Sequence, residues 1–91
     1  MSETALNDLR GIHAYIAEEN PAAALEFIED LAQKIEWIAA SGFTGAPRDW
    51  IRPGLRILPY RDRCIYLRVT DDTVFIVRVL HSSQDVEREE F

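Results

Sequence analysis

Two runs dense in β-branched and aromatic residues, Cys64-Ile-Tyr-Leu-Arg-Val-Thr70 and Thr73-Val-Phe-Ile-Val-Arg-Val-Leu-His81, are separated only by Asp71-Asp72. Such runs joined by two turn-forming residues predict a pair of antiparallel strands with a tight connection. Asp-Asp is a weaker hairpin signal than Asn-Gly or Asp-Gly, although Asp tolerates the left-handed conformation that such a turn needs. Arg68 and Arg78 interrupt these otherwise apolar strands. A charge in such a place has to be exposed, paired or functional, and which of the three applies is the central question about function.

The rest of the chain supplies what this hairpin packs on. Ser2 or Thr4 can cap a first helix whose apolar residues Leu6, Leu9, Ile12 and Ile16 recur at helical steps. Glu18-Glu19-Asn20 closes it. Asn20-Pro21 then opens a second helix, with Asn20 as N-cap and Pro21 in the first turn. Its predicted stripe is Ala24, Leu25, Ile28, Leu31, Ala32, Ile35 and Ile38, and Gly42 ends it. The short link between them predicts an antiparallel helical hairpin. Phe43 to Pro53 reads as a Gly- and Pro-rich loop, with Trp50 and Ile51 packing beneath it. Leu55 to Tyr60 reads as a strand, and Pro59 places that strand at an edge or marks its end. The expectation is an α+β fold: an N-terminal antiparallel helical hairpin on one face of a three-stranded antiparallel β-sheet.

Ninety-one residues allow one domain, taken as residues 1–91, with a single small core. No apolar run approaches the roughly 20 residues of a membrane span, and no basic leader with an apolar stretch opens the sequence. The lone Cys64 cannot form an internal disulfide and reads as a small strand hydrophobe. His13, Cys64 and His81 match no common zinc spacing. The expectation is a cytoplasmic domain with no metal and no cofactor.

Charge is divided unevenly. Residues 1–46 carry eight acids against Arg10 and Lys34, residues 47–78 carry seven arginines against four aspartates, and residues 79–91 carry four acids against Arg88. The sheet half is thus basic, and its cations are all arginine. Arginine makes planar, bidentate contacts with carboxylates and phosphates, so these residues either meet a defined partner or pair with the acidic helices. The overall charge of −6 argues against tight nonspecific nucleic-acid binding.

The candidate partner-binding residues are Arg56, Tyr60, Arg61, Arg78 and His81. Arg56 alternates with Leu55 and Ile57 and is expected to point outward, to a partner or to an ion pair. Tyr60, Arg61 and Arg63 read as a polar turn. Arg78 and His81, three residues apart, fall on opposite faces of a regular strand. His81 is open to a rim hydrogen bond or to a partner contact. His13 reads as structural, Trp37 and Trp50 as core plugs, and Glu87 to Glu90 as a solvated tail.

Several elements, taken in order, resemble the ParE branch of the RelE/ParE toxin superfamily. They are Ser2-Glu-Thr-Ala-Leu-Asn-Asp-Leu-Arg-Gly-Ile12, Tyr15-Ile-Ala-Glu-Glu-Asn-Pro-Ala-Ala-Ala24, Gly54-Leu-Arg56, Tyr66-Leu-Arg-Val69 and Arg78-Val-Leu-His81, followed by Asp85. Two departures stand out: the β-strand that usually precedes the first helix is missing or at most a stub, and Gln84 stands where such sequences usually have arginine. The resemblance implies the toxin of a type II toxin–antitoxin pair. It also implies a ParD-like antitoxin of ribbon-helix-helix type, contact with DNA only through that antitoxin, a hetero-oligomeric complex and no membrane. ParE-like members resemble noncatalytic poisons of DNA gyrase, whereas RelE-like members cleave messenger RNA on the ribosome. The latter work needs a base, an acid and cations at the scissile phosphate, and here would rest on Arg56, Arg61, Arg78 and His81. A third possibility is an inactive module that only binds antitoxin.

Overall fold

The computed structural model describes residues 1–91. Helix α1 (Glu3–Ala17) and helix α2 (Pro21–Ser41) form the hairpin, followed by strands β1 (Ala46–Pro47), β2 (Arg56–Tyr60), β3 (Arg63–Thr70) and β4 (Thr73–His81) and a final 3₁₀ turn, Val86–Arg88. The sheet is antiparallel throughout, in the order β1-β2-β3-β4. The predicted architecture is present with one addition, since the loop after α2 contributes the two-residue strand β1, pairing Ala46 with Ile57 and Pro47 with Arg56. A strand this short, half of it proline, leaves no periodic signal.

The local signals act as their chemistry demands. Ser2 Oγ accepts from Ala5 N at 2.9 Å, and Asn20 Oδ1 accepts from Ala23 N at 3.0 Å. Gly42 ends α2 in the left-handed region at φ 75°. Gly45 has no substitute, because a Cβ there would lie 2.0 Å from Ile57 O. Asp71 and Asp72 both take positive φ, 48° and 64°, which is the backbone of a tight type I′ hairpin turn. Pro59 sits beyond the reach of β1, where its missing N–H breaks no ladder bond on that side.

The sheet is buried on both faces. Toward the helices lie Leu58, Ile65, Leu67, Ile76 and Val79, packed with Ala5, Ile12, Phe27, Leu31 and Ile38. The opposite face holds Leu55, Ile57, Tyr66 and Leu80, covered by Ile51 and, at the chain end, by Val86 and Phe91. The Glu87–Glu90 segment is therefore no free tail: the chain end folds back, setting the Phe91 ring edge-on to Tyr66 at 5.0 Å. A bulge opposite Tyr66/Leu67 pairs Tyr66 with Arg78 and Leu67 with Ile76. It resets the alternation, so that Ile76 and Val79, three residues apart, both face the helices.

Helix α2 departs from its predicted stripe. Phe27 is buried while Leu25 and Ala32 face outward, so the seam runs through Ala24, Phe27, Leu31 and Ile38, with the predicted Ile28 and Ile35 packed against it. Trp50 is 68% exposed and Trp37 also faces solvent, so neither plugs the core. Trp37 instead packs on Phe43 at 5.6 Å and under Lys34. Ile51 alone fills the position expected of the Trp50-Ile51 pair.

Candidate functional site

Three of the five residues singled out from sequence are occupied in holding the fold together. Arg78 is only 8% exposed. Its Nε donates to Asp8 Oδ2 at 2.8 Å and its Nη2 to Asp8 Oδ1 at 3.0 Å, a bidentate pair between β4 and α1. Its Nη1 reaches Glu90 O at 2.8 Å and Glu89 Oε2 at 3.3 Å, which ties down the chain end. Asp8 Oδ2 also accepts from Val79 N at 2.9 Å. The hydrogen bond donated to Asp8 holds the Arg78 pKa above its ordinary value, against the opposing effect of burial. Arg78 thus pairs with Asp8 of the helical layer and with the chain end.

Arg56 is not outward. It lies half-buried on the same side of β2 as Leu58 and Tyr60, donating from Nε to Thr44 O at 3.0 Å and from Nη2 to Gly45 O at 2.9 Å. Leu55 and Ile57 belong to the opposite face, so alternation turns Arg56 inward and the loop carbonyls satisfy it. Tyr60 also departs from the turn reading. It ends β2, packs against the helix-facing core and meets the Phe27 ring edge-on at 6.1 Å.

Arg61 and His81 remain near the surface. Arg61 occupies the β2–β3 turn at φ 55° and pairs with Asp30 Oδ2 at 2.9 Å, its guanidinium over the Phe27 and Tyr60 rings. An exposed pair of this kind adds little stability. His81 projects from the end of β4 on the face opposite Arg78, as expected. Its Nδ1 lies 2.7 Å from Ser83 Oγ and accepts from Ser83 N at 3.1 Å, and its Nε2 lies 3.5 Å from Asp62 Oδ2. Gln84 Oε1 accepts from His81 N at 2.7 Å, so the residue replacing the usual arginine braces the strand end.

His81 lines the largest concavity of the molecule, a cleft of about 440 Å³ between α1 and the end of the sheet. Helix α1 supplies Asn7, Asp8, Gly11, Ile12 and Tyr15, the last 73% exposed. From the sheet come Val79, His81 and Arg63, with Asp62 and Gln84 at the rim. Arg63, expected in a polar turn, is instead the first residue of β3. The signal that places it was present, because residues 63, 65 and 67 share one side of a strand and Ile65 and Leu67 are core. A second, shallower groove between the helices is lined by Leu9, Arg10, His13 and Ile28. His13 is thus a groove residue. No cluster of three or more His, Cys, Asp or Glu side chains is placed to hold a metal ion.

On the far face, burial pushes the Cys64 thiol above its usual range, only partly offset by Arg48. Tyr66 is raised too, first by burial, then by Cys64, with Arg48 opposing.

Residues 1–86 match the family described as ParE toxin of type II toxin-antitoxin system, parDE. The chain belongs to this family. Toxin ParE1 of Mycobacterium tuberculosis, found in two strains, is 38% identical over 66 residues, covering 71% of this chain and 67% of that one. Among solved structures, the chromosomal ParDE toxin–antitoxin system from P. aeruginosa superposes with a TM-score of 0.73 at 24% identity, over 88% of this chain and 89% of that one. That likeness concerns the fold, and it supports the α+β reading of a helical hairpin on an antiparallel sheet. As a ParE toxin, this chain is one half of a toxin–antitoxin pair, and none of its helices is long and apolar enough to cross a membrane.

Proposed function

We propose that this ParE toxin is a noncatalytic poison of DNA gyrase, acting in the cytoplasm and neutralised by a ParD-like antitoxin in a hetero-oligomeric complex. The observation that carries the reading is the state of Arg56 and Arg78. A ribonuclease would need both at a scissile phosphate, yet their guanidinium groups are committed to Thr44, Gly45, Asp8, Glu89 and Glu90. Releasing Arg78 would strand a buried carboxylate, at a cost of about 3–5 kcal/mol. Only His81 and Arg61 of that set face solvent, and Arg61 lies in a separate turn paired to Asp30. General acid–base chemistry needs its groups within hydrogen-bond reach of one reacting centre. The groove over Leu9, His13 and Ile28, flanked by exposed Leu6 and Leu25, offers an amphipathic antitoxin helix a place to lie.

The test is induction of the chain alone in a bacterium, alongside purified protein added to a gyrase supercoiling reaction. Filamentation with accumulated gyrase-linked DNA breaks, while protein synthesis continues, is the expected result. Rapid arrest of translation with messages cut on the ribosome would replace this reading with the ribonuclease one. No growth effect, together with a stable antitoxin complex, would mark an inactive binding module. Coexpression of the adjoining reading frame is expected to restore growth and to copurify.

A further inference from the structure

Arg63 is the sheet-half arginine whose position the fold itself does not explain. Its side chain is only 12% exposed, and its Nε is buried without any hydrogen-bond acceptor. The nearest carboxylate, Asp62 Oδ1, stands 3.6 Å away, beyond hydrogen-bond range, on a side chain that is 59% exposed. A guanidinium carries five donors in a rigid fork, and leaving one of them buried without an acceptor is costly. Each comparable cation in this chain has an acceptor: Arg56 two carbonyls, Arg61 an aspartate, Arg78 two carboxylates and a carbonyl. Arg63 instead lines the cleft beside His81, its partner across the β3–β4 ladder.

We propose that this cleft receives a single carboxylate, an Asp or Glu side chain of the antitoxin, on the Arg63 guanidinium. The charges at the site select that chemistry. Asp8 is already neutralised by Arg78, so the cleft offers one unmatched cation faced by the loosely held Asp62. One carboxylate can take the place of Asp62 beside Arg63, whereas a phosphate dianion would set a double negative charge against that single cation and Asp62. Ile12, Val79 and the exposed Tyr15 ring provide apolar wall, and a Cβ built on Gly11 would meet nothing within 4 Å, so there is room for an apolar neighbour of the acidic residue. The occupant is therefore an acidic residue flanked by an apolar one in a polypeptide segment.

This assignment rests on the antitoxin reading, so the experiment separates the two. The first arm measures affinity for the protein encoded by the adjoining reading frame. Arg63→Met is expected to weaken binding by at least about tenfold, and Arg63→Glu by more, as for a desolvated interfacial charge pair. One Asp or Glu to Arg change in the antitoxin is expected to restore binding to Arg63→Glu. Thermal unfolding is expected to show Arg63→Met at least as stable as the parent, because the arginine satisfies nothing internally. The second arm follows the Arg63 Nε–H resonance of the free chain while adding the peptide acetyl-Leu-Glu-Leu-amide, its Gln counterpart, or inorganic phosphate. A shift with the Glu peptide alone supports the site. Equal affinity of Arg63→Met for the antitoxin would overturn the site and leave the antitoxin reading standing. No binding by the parent chain would remove the antitoxin reading, and the peptide arm would then decide the cleft: no shift, an equal shift with the Gln peptide, or a shift with phosphate only, overturns it.

Discussion

At the scale of single residues, Asp8 is the polar tie that holds the first helix to the sheet. It takes two hydrogen bonds from Arg78 and one from Val79 N, so one carboxylate joins α1 to the edge of β4. Removing it leaves the buried Arg78 with only its chain-end partners, Glu89 and the Glu90 carbonyl, and leaves the Val79 N–H with no acceptor. Asp8→Ala is expected to lose about 3–5 kcal/mol in urea unfolding. Adding Arg78→Met to that background should recover much of the loss, because the orphaned charge is then gone; additive losses in the double mutant would refute the coupling. Sequence alone showed that Arg78 had to be exposed, paired or functional. It could not show which, because its partner lies seventy residues away. The same holds for Arg56, whose acceptors are loop carbonyls that carry no side-chain signature.

At the scale of elements, the turns and caps carried their own instructions, and the long stripes did not. Ser2, Asn20 and Gly42 cap where their chemistry places them, because capping depends on three or four neighbouring residues only. The β3–β4 turn obeys the same logic under strain, with two non-glycine residues at positive φ. Replacing Asp71 with Asn and Asp72 with Gly is expected to stabilise the protein by about 1 kcal/mol. A higher urea midpoint with unchanged slope would register this; a lower one would mean that the aspartates do more than turn the chain. Helix α2 departs from its expected stripe at Leu25 and Phe27, because apolar residues surround the helix and only the position of the sheet selects the buried ones. Arg63 was misplaced for a related reason: the turn is only Arg61-Asp62, one residue shorter at that end than its polar appearance implied.

At the scale of the molecule, the sheet with two covered faces is the organising feature. Helices cover one side, while the Ile51 segment and the chain end cover the other. The second face hides Cys64 and Tyr66, whose acidic groups are both held protonated to higher pH than usual. The folded state therefore keeps protons that the unfolded chain gives up, first near pH 9.0 for the thiol and then near 10.0 for the phenol. Stability from these groups is fully present below pH 9.0 and is lost as pH rises through and beyond it. Urea midpoints are expected to fall progressively above pH 9.0, and Cys64→Val should flatten the first part of that fall. An unchanged slope in Cys64→Val would show that the thiol is not the group responsible.

What the sequence determined by itself was local or ordered along the chain: two capped helices, two strands about a two-residue turn, the uneven charge, and the run of elements that marks a ParE toxin. Those follow from neighbours within a few residues, where chain geometry leaves few choices. Tertiary structure alone decided which arginines are spent and which is left without an acceptor. Hydrogen-bond satisfaction is settled between residues far apart in sequence, and a single bulge or buried carboxylate redirects a charge from solvent to core.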